Sequence, residues 1–142
     1  MIRTVVIGLG RIGWMLEKDN YRYHPCTHTG TLLSLSKRFK IVAGCDLSEE
    51  RRVKFKRYIR SKMAENVELY SDVDQLIRAI FEKKVIIDFA VIATGPESHP
   101  DIFKKLILAG VKRFLIEKPV ALNSNVAMKM LRSKIPFSVS TS

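Results

Sequence analysis

The feature that most constrains this chain is a run of three spaced glycines, Gly8-Leu9-Gly10-Arg11-Ile12-Gly13, set directly after the apolar, branched stretch at residues 4–7. A G-x-G-x-x-G run that follows a strand and opens a helix has a specific physical use. Gly8 lets the chain turn tightly, Gly10 lets the backbone approach a pyrophosphate with no side chain in the way, and Gly13 lets the following helix pack closely on the strand. Backbone N–H groups of the turn, including those of Arg11 and Ile12, then face the phosphates, and the helix dipole adds favourable potential. The competing reading is a strand-to-helix turn with chance glycines.

Other short, branched apolar runs recur at residues 41–45, 86–93 and 114–116, with a last candidate at 136–139. They read as fully buried strands. Between them, Val73, Leu76, Ile77, Ile80 and Phe81 form one helix face, and Ile102, Phe103, Leu106 and Ile107 another. Strands alternating with helices predict parallel strands joined by crossovers. The expected class is α/β, a Rossmann-type doubly wound parallel sheet with helices on both faces, forming one domain over residues 1–142. Asp72 and Ser48 stand where N-caps belong, and Gly110 where the helix begun near Pro100 ends. Residues 17–30 break what would otherwise be a single helix after the glycines, and a helical face resumes with Leu32, Leu33 and Phe39. This segment reads as an inserted loop at the edge of the site. Its His24, Cys26 and His28 lie at i, i+2 and i+4, which is not a standard zinc spacing, so no metal is expected there.

Composition is that of a globular chain, 46% hydrophobic and 27% charged. Twenty-five Lys and Arg against 14 Asp and Glu give +11, a field that attracts polyanions of any kind and does not choose among them. Much of it lies in residues 51–62, where Phe55, Ile59 and Met63 form the buried stripe of a basic helix. Nucleic acid is a reading of that helix, but no helix-turn-helix, finger or RNA-binding signature accompanies it, and a solvated outer face is preferred. The two cysteines imply no disulfide framework, and the longest apolar stretch, residues 85–93, is too short to span a membrane and carries Asp88. With nothing resembling a signal peptide at the N-terminus, the expected setting is cytoplasmic.

At the end of the second strand stands Asp46, placed for its carboxylate to accept hydrogen bonds from the ribose hydroxyls of NAD. It lies farther from the glycines than the usual spacing of about 20 residues, and the insertion accounts for the excess. A carboxylate there repels a 2′-phosphate, while the nearby Arg51 and Arg52 leave NADP open as a second cofactor. Two further segments sit at strand ends: Ala93-Thr94-Gly95-Pro96-Glu97-Ser98-His99, and Ile116-Glu117-Lys118-Pro119. Trp14 reads as core filling at the helix–sheet interface.

With these four elements in order, the chain resembles the glucose-fructose oxidoreductase and inositol dehydrogenase-like (Gfo/Idh/MocA) family, from residue 2 to about residue 139. The Glu117-Lys118-Pro119 signature is the most specific part of the likeness, and it argues against a methyltransferase, which also has a glycine turn and a strand-end acid. The resemblance implies that Thr94, Pro96, His99 and Glu117 lie near the cofactor. It also implies that Lys118 is the catalytic residue, pointing at the nicotinamide and at the reacting carbon of a sugar or polyol. In that family a second domain supplies the substrate pocket and the subunit contact. The present sequence stops at residues 138–142, where the crossing into that domain is expected, so it reads as a fragment, a truncated product or one half of a split pair, with a homo-oligomer or a partner subunit implied. The alternative function is a non-catalytic NAD-binding sensor or regulatory module.

Overall fold

The computed structural model describes residues 1–140; Thr141 and Ser142, the end of the expected crossing, lie outside the described residues. Six strands form one all-parallel sheet: β1 (Ile2–Ile7), β2 (Phe39–Cys45), β3 (Glu68–Tyr70), β4 (Phe89–Ile92), β5 (Arg113–Ile116) and β6 (Phe137–Val139), in the order β3-β2-β1-β4-β5-β6. This is the doubly wound order, in which the chain runs outward from β1 to one edge, returns to β4 and runs outward to the other. Crossovers are α1 (His28–Ser34), α2 (Glu49–Lys62), α3 (Val73–Phe81), α4 (His99–Leu108) and α5 (Ser124–Arg132).

The pleat of β1 divides the core. Val5 and Ile7 join Leu76, Ile102, Phe103, Leu106 and Met130 under α3, α4 and α5, whereas Val6 joins Leu32, Phe55 and Ile59 under α1 and α2. Strands buried on both faces must be apolar at every position, which is why they read as continuous runs rather than alternations. Each such buried side chain contributes roughly 1.5–3 kcal/mol. Trp14 is 1% exposed among Phe55 and Tyr58 and donates its indole N–H to Leu9 O at 2.8 Å, so it is core, as its position suggested.

Local chemistry sets most boundaries. Asp72 accepts from Gln75 N at 2.8 Å, and Ser48 from Arg51 N at 3.3 Å, starting α3 and α2. Gly110, at φ +93°, follows the end of α4. Two elements were not expected: β3, only three residues long, and α5, whose N-cap Asn123 accepts from Val126 N at 3.0 Å.

The start of the first crossover differs from the simple expectation of a helix beginning at the glycines. Trp14 N and Met15 N both donate to Gly10 O at 3.2 Å, a short 3₁₀ turn follows at Met15–Lys18, and the regular helix begins only at His28. There His28 N donates to Ile12 O at 3.1 Å and Thr29 N to Gly13 O at 3.0 Å. The helix therefore resumes on carbonyls of the glycine turn, and the insertion is looped out from between them. It resumes earlier than Gly30, and Phe39 belongs to β2 rather than to the helix. Pro25, which has no N–H to give a helix, and the capping hydroxyl of Thr27, which accepts from Gly30 N, explain that start.

Candidate cofactor site

In a doubly wound sheet, ligands bind beyond the carboxyl ends of the strands where the order reverses. Here that place lies between β1 and β4, and a cavity of about 540 Å³ opens there, lined among others by Gly8, Gly10, Asp46, Arg51, Thr94 and Ser98. A larger recess of about 750 Å³ lies at the opposite end, walled by Arg3, Asp88 and Arg113, out of reach of every loop that follows a strand. The smaller one is bordered by the glycine turn and the strand-end acid.

The three glycines of the turn differ in what surrounds them. Gly8 adopts φ +92°, and a Cβ there would meet Ala93 O at 2.6 Å; a Cβ on Gly13 would meet Gly8 O at 2.2 Å. Both contacts are with backbone, so these two positions admit no side chain. At Gly10 the nearest atom to a Cβ is the Arg51 guanidinium, at an ordinary 3.5 Å, and the residue borders the cavity. Gly10 is thus free of internal constraint and leaves open a path to the backbone that a bulky ligand would need. This cradle fits a pyrophosphate. Arg11 is exposed and Ile12 half-buried beside it.

Asp46 follows β2 and braces the turn. One carboxylate oxygen accepts from Leu9 N at 2.8 Å, the other from Ser48 N at 2.8 Å, and Arg51 stands 3.7 Å away. Each carboxylate oxygen has a further lone pair, so the group can still accept from a hydroxyl. Across the cavity, Ser98 Oγ donates to Gly95 O at 2.8 Å, so in its 2.6 Å contact with Thr94 Oγ1 the threonine supplies the proton. The Thr94 side chain is thereby held at the rim, with Pro96 half-buried beyond it.

His99 is wholly buried, with Nε2 2.8 Å from Thr94 O and Nδ1 3.0 Å from Val120 O. It lies beneath the loops after β4 and β5 and ties them together, rather than lining the cavity. The second of those loops carries Glu117, Lys118 and Pro119. Glu117 N donates to Ile92 O at 2.9 Å, which seats Glu117 beside the end of β4. Its carboxylate accepts from His28 Nε2 at 2.6 Å, both side chains being largely buried. Lys118 is exposed and makes no ion pair among the described residues.

Sequence reasoning did not single out two participants. His28 lies close in sequence to His24 and Cys26, yet the structure turns it away from them toward Glu117. Glu17 received no role beyond marking the start of the insertion, yet its Oε2 accepts from Thr27 Oγ1 at 2.7 Å, Thr27 N at 3.0 Å and Cys26 N at 3.1 Å. Burial pushes this carboxyl up, but the hydrogen bonds from Thr27, Cys26 and His24 outweigh it and hold it below its ordinary range. The signal for both was chemical type at a helix start, with nothing local to name their partners.

The family model described as an oxidoreductase family with an NAD-binding Rossmann fold matches residues 2–134. Among solved structures, the chain is similar to the WlbA dehydrogenase from Bordetella pertussis, solved with NADH and UDP-GlcNAcA, at 20% identity and a TM-score of 0.71, over 98% of this chain and 34% of that one. It is also similar to myo-inositol 2-dehydrogenase from Lactobacillus plantarum, at 21% identity and a TM-score of 0.67, over 98% of this chain and 36% of that one. A third similar structure is the UDP-N-acetylglucosamine 3-dehydrogenase GnnA from Acidithiobacillus ferrooxidans, at 20% identity and a TM-score of 0.63, over 97% of this chain and 37% of that one. The chain thus spans about a third of the length of these dehydrogenases. No curated protein matches it by sequence. No helix among the described residues is long and apolar enough to cross a membrane.

Proposed function

This chain belongs to the Gfo/Idh/MocA oxidoreductase family, whose fold is an NAD-binding Rossmann fold, and from that membership we propose that it transfers hydride between a nicotinamide cofactor and a sugar-like or polyol substrate. The observation that carries the reading is the cavity at the β1–β4 reversal, where the open Gly10 backbone and the braced Asp46 carboxylate share one wall. Bound NAD supplies the hydride chemistry.

The chain's own residues hold and orient. The Gly8–Gly13 turn presents backbone N–H groups to the pyrophosphate, and Asp46 accepts from the ribose while repelling a 2′-phosphate, so NAD is favoured over NADP. Arg51, beside Asp46, sets how much NADP is tolerated. Thr94 and Pro96 shape the opposite rim, and His99 supports it from beneath. Glu117, fixed by His28, holds the loop from which Lys118 acts as the catalytic residue. Its ammonium donates a hydrogen bond to the hydroxyl whose carbon loses hydride and stabilises the charge that develops on that oxygen. The support for Lys118 is its place after β5 within the Glu-Lys-Pro signature. A substrate domain, from a continuation of the chain or from a partner subunit, completes the site.

Titrating NADH and NADPH into the protein, followed by nicotinamide fluorescence and thermal melting, tests the cofactor step. NADH is expected to raise the melting temperature more than NADPH, and Gly10→Ala, whose Cβ meets only the Arg51 guanidinium at 3.5 Å and so has room to fold, is expected to weaken the response. Absence of binding at millimolar NADH overturns the assignment.

A further inference from the structure

The insertion gathers three metal-ligating side chains of different chemistry. Ligand atoms of Glu17, His24 and Cys26 all lie within 4.8 Å of one another. Glu17 Oε1 is 3.0 Å from His24 Nδ1, and Cys26 Sγ is 3.8 Å from that same nitrogen. Bonds of about 2.0–2.1 Å to N and O and about 2.3 Å to S, at tetrahedral angles, require ligand atoms roughly 3.3–3.7 Å apart. Two of the cluster's edges, both meeting at His24 Nδ1, therefore stand close to tetrahedral length before any ion is added.

Surrounding hydrogen bonds orient each ligand, as the outer shell of a metal site does. Glu17 Oε2 is saturated by Thr27 Oγ1, Thr27 N and Cys26 N, so Oε1 alone faces the cluster. His24 Nε2 lies 2.9 Å from Asp19 O, an acceptor, so Nε2 carries a proton. Nδ1 is then the ring atom that faces Glu17 Oε1, donating to it in the metal-free protein and offering its lone pair to an ion that takes that proton's place. Two acceptors at 3.0 Å need a cation between them, either a proton or a metal ion. The other histidine of the segment is committed elsewhere, since His28 bonds Glu117.

We propose that Glu17, His24 and Cys26 bind one zinc-type divalent ion, with a solvent molecule in the fourth position. The ligand set has one oxygen, one nitrogen and one sulfur, which suits the borderline softness of zinc and not the all-oxygen preference of magnesium or calcium. Cys26 gives up its thiol proton to solvent, and its contact with Leu16 O at 3.2 Å, when the metal enters. The ion pins the looped-out residues between the 3₁₀ turn and α1. It reproduces neither the i, i+2, i+4 set nor any standard spacing, because Glu17 is brought in by the fold.

The test uses tag-free protein freed of metal and titrated with Co²⁺, then with Zn²⁺. Expected are one Co²⁺ per chain, thiolate-to-cobalt charge-transfer absorption with the intense d–d bands of a four-coordinate site, displacement by Zn²⁺, and a zinc-dependent rise in melting temperature. Cys26→Ser is expected to remove the charge-transfer band, and His24→Ala to weaken Co²⁺ binding at least tenfold. His24 is exposed, so that variant folds even where Glu17→Gln, which disturbs the hydrogen bonds to Oε2, does not. Absence of the charge-transfer band in the folded wild type, or its persistence in Cys26→Ser, overturns the proposal.

Discussion

His28 and Glu117, 89 positions apart in the chain, meet through a 2.6 Å hydrogen bond between Nε2 and Oε2. The bond joins the first residue of α1, where the insertion rejoins the fold, to the loop that carries Lys118. It is a direct link between the looped-out segment and the signature loop. Removing one partner leaves the other largely buried without its bond, at a cost of about 1–2 kcal/mol. Glu117→Gln and His28→Ala are each expected to lower the melting temperature by roughly 3–8 °C. The double variant should fall by less than the sum, read from a double-mutant cycle.

Asp46 acts on the glycine turn as well as facing the cavity. Asp46→Ala frees Leu9 N and Ser48 N and removes the acceptor proposed for the ribose. NADH affinity is expected to drop about tenfold or more, equivalent to about 1.4 kcal/mol, while NADPH affinity drops less, because the repulsion of a 2′-phosphate is lost with it. Fluorescence titration of both cofactors measures the ratio, and an unchanged ratio would remove Asp46 from the discrimination.

The glycines differ in what they tolerate. Gly13→Ala places a Cβ 2.2 Å from Gly8 O, a backbone atom in the middle of the fold. Destabilisation of at least about 3 kcal/mol, or failure to fold, is expected. Gly110→Ala, at φ +93° with nothing within 4 Å of the new atom, bears only the left-handed backbone strain of about 1–2 kcal/mol. Urea denaturation of the two variants should separate steric from conformational cost.

At the far end of the sheet, Arg3 donates to Asp88 from Nε and Nη2, both at 2.7 Å, and from its backbone N at 2.9 Å. The Arg3 side-chain bonds hold the Asp88 carboxyl down, from 3.8 to about 2. A depressed folded-state value means the contribution is present above the unfolded value and is lost as pH falls through the folded one. Wild-type melting temperature should therefore fall between about pH 4 and pH 2 more steeply than that of Asp88→Asn. Side-chain exposures of 42% and 34% keep the difference small, and added salt should shrink it further. Parallel acid profiles of the two proteins would remove the pair from the acid response.

The sequence by itself determined the layered α/β class, the glycine turn, the strand-end acid and the caps at Ser48 and Asp72, because each rests on contacts within a few residues or on the period of buried positions. It determined Trp14 as core for the same reason. It left β3 unseen, since three half-exposed residues carry no pattern, and α5 unread although Asn123 and the spacing of Val126, Ala127 and Met130 held the signal. Only the tertiary structure decided that the first helix starts at His28 on the carbonyls of Ile12 and Gly13, that His99 ties two loops instead of lining the cavity, and that Glu17 joins His24 and Cys26 while His28 joins Glu117. Those outcomes depend on groups brought together by the sheet and by a looped-out segment whose polar residues have several acceptable partners. Hydrogen-bond geometry chooses among such partners, and geometry exists only once the strands are in register.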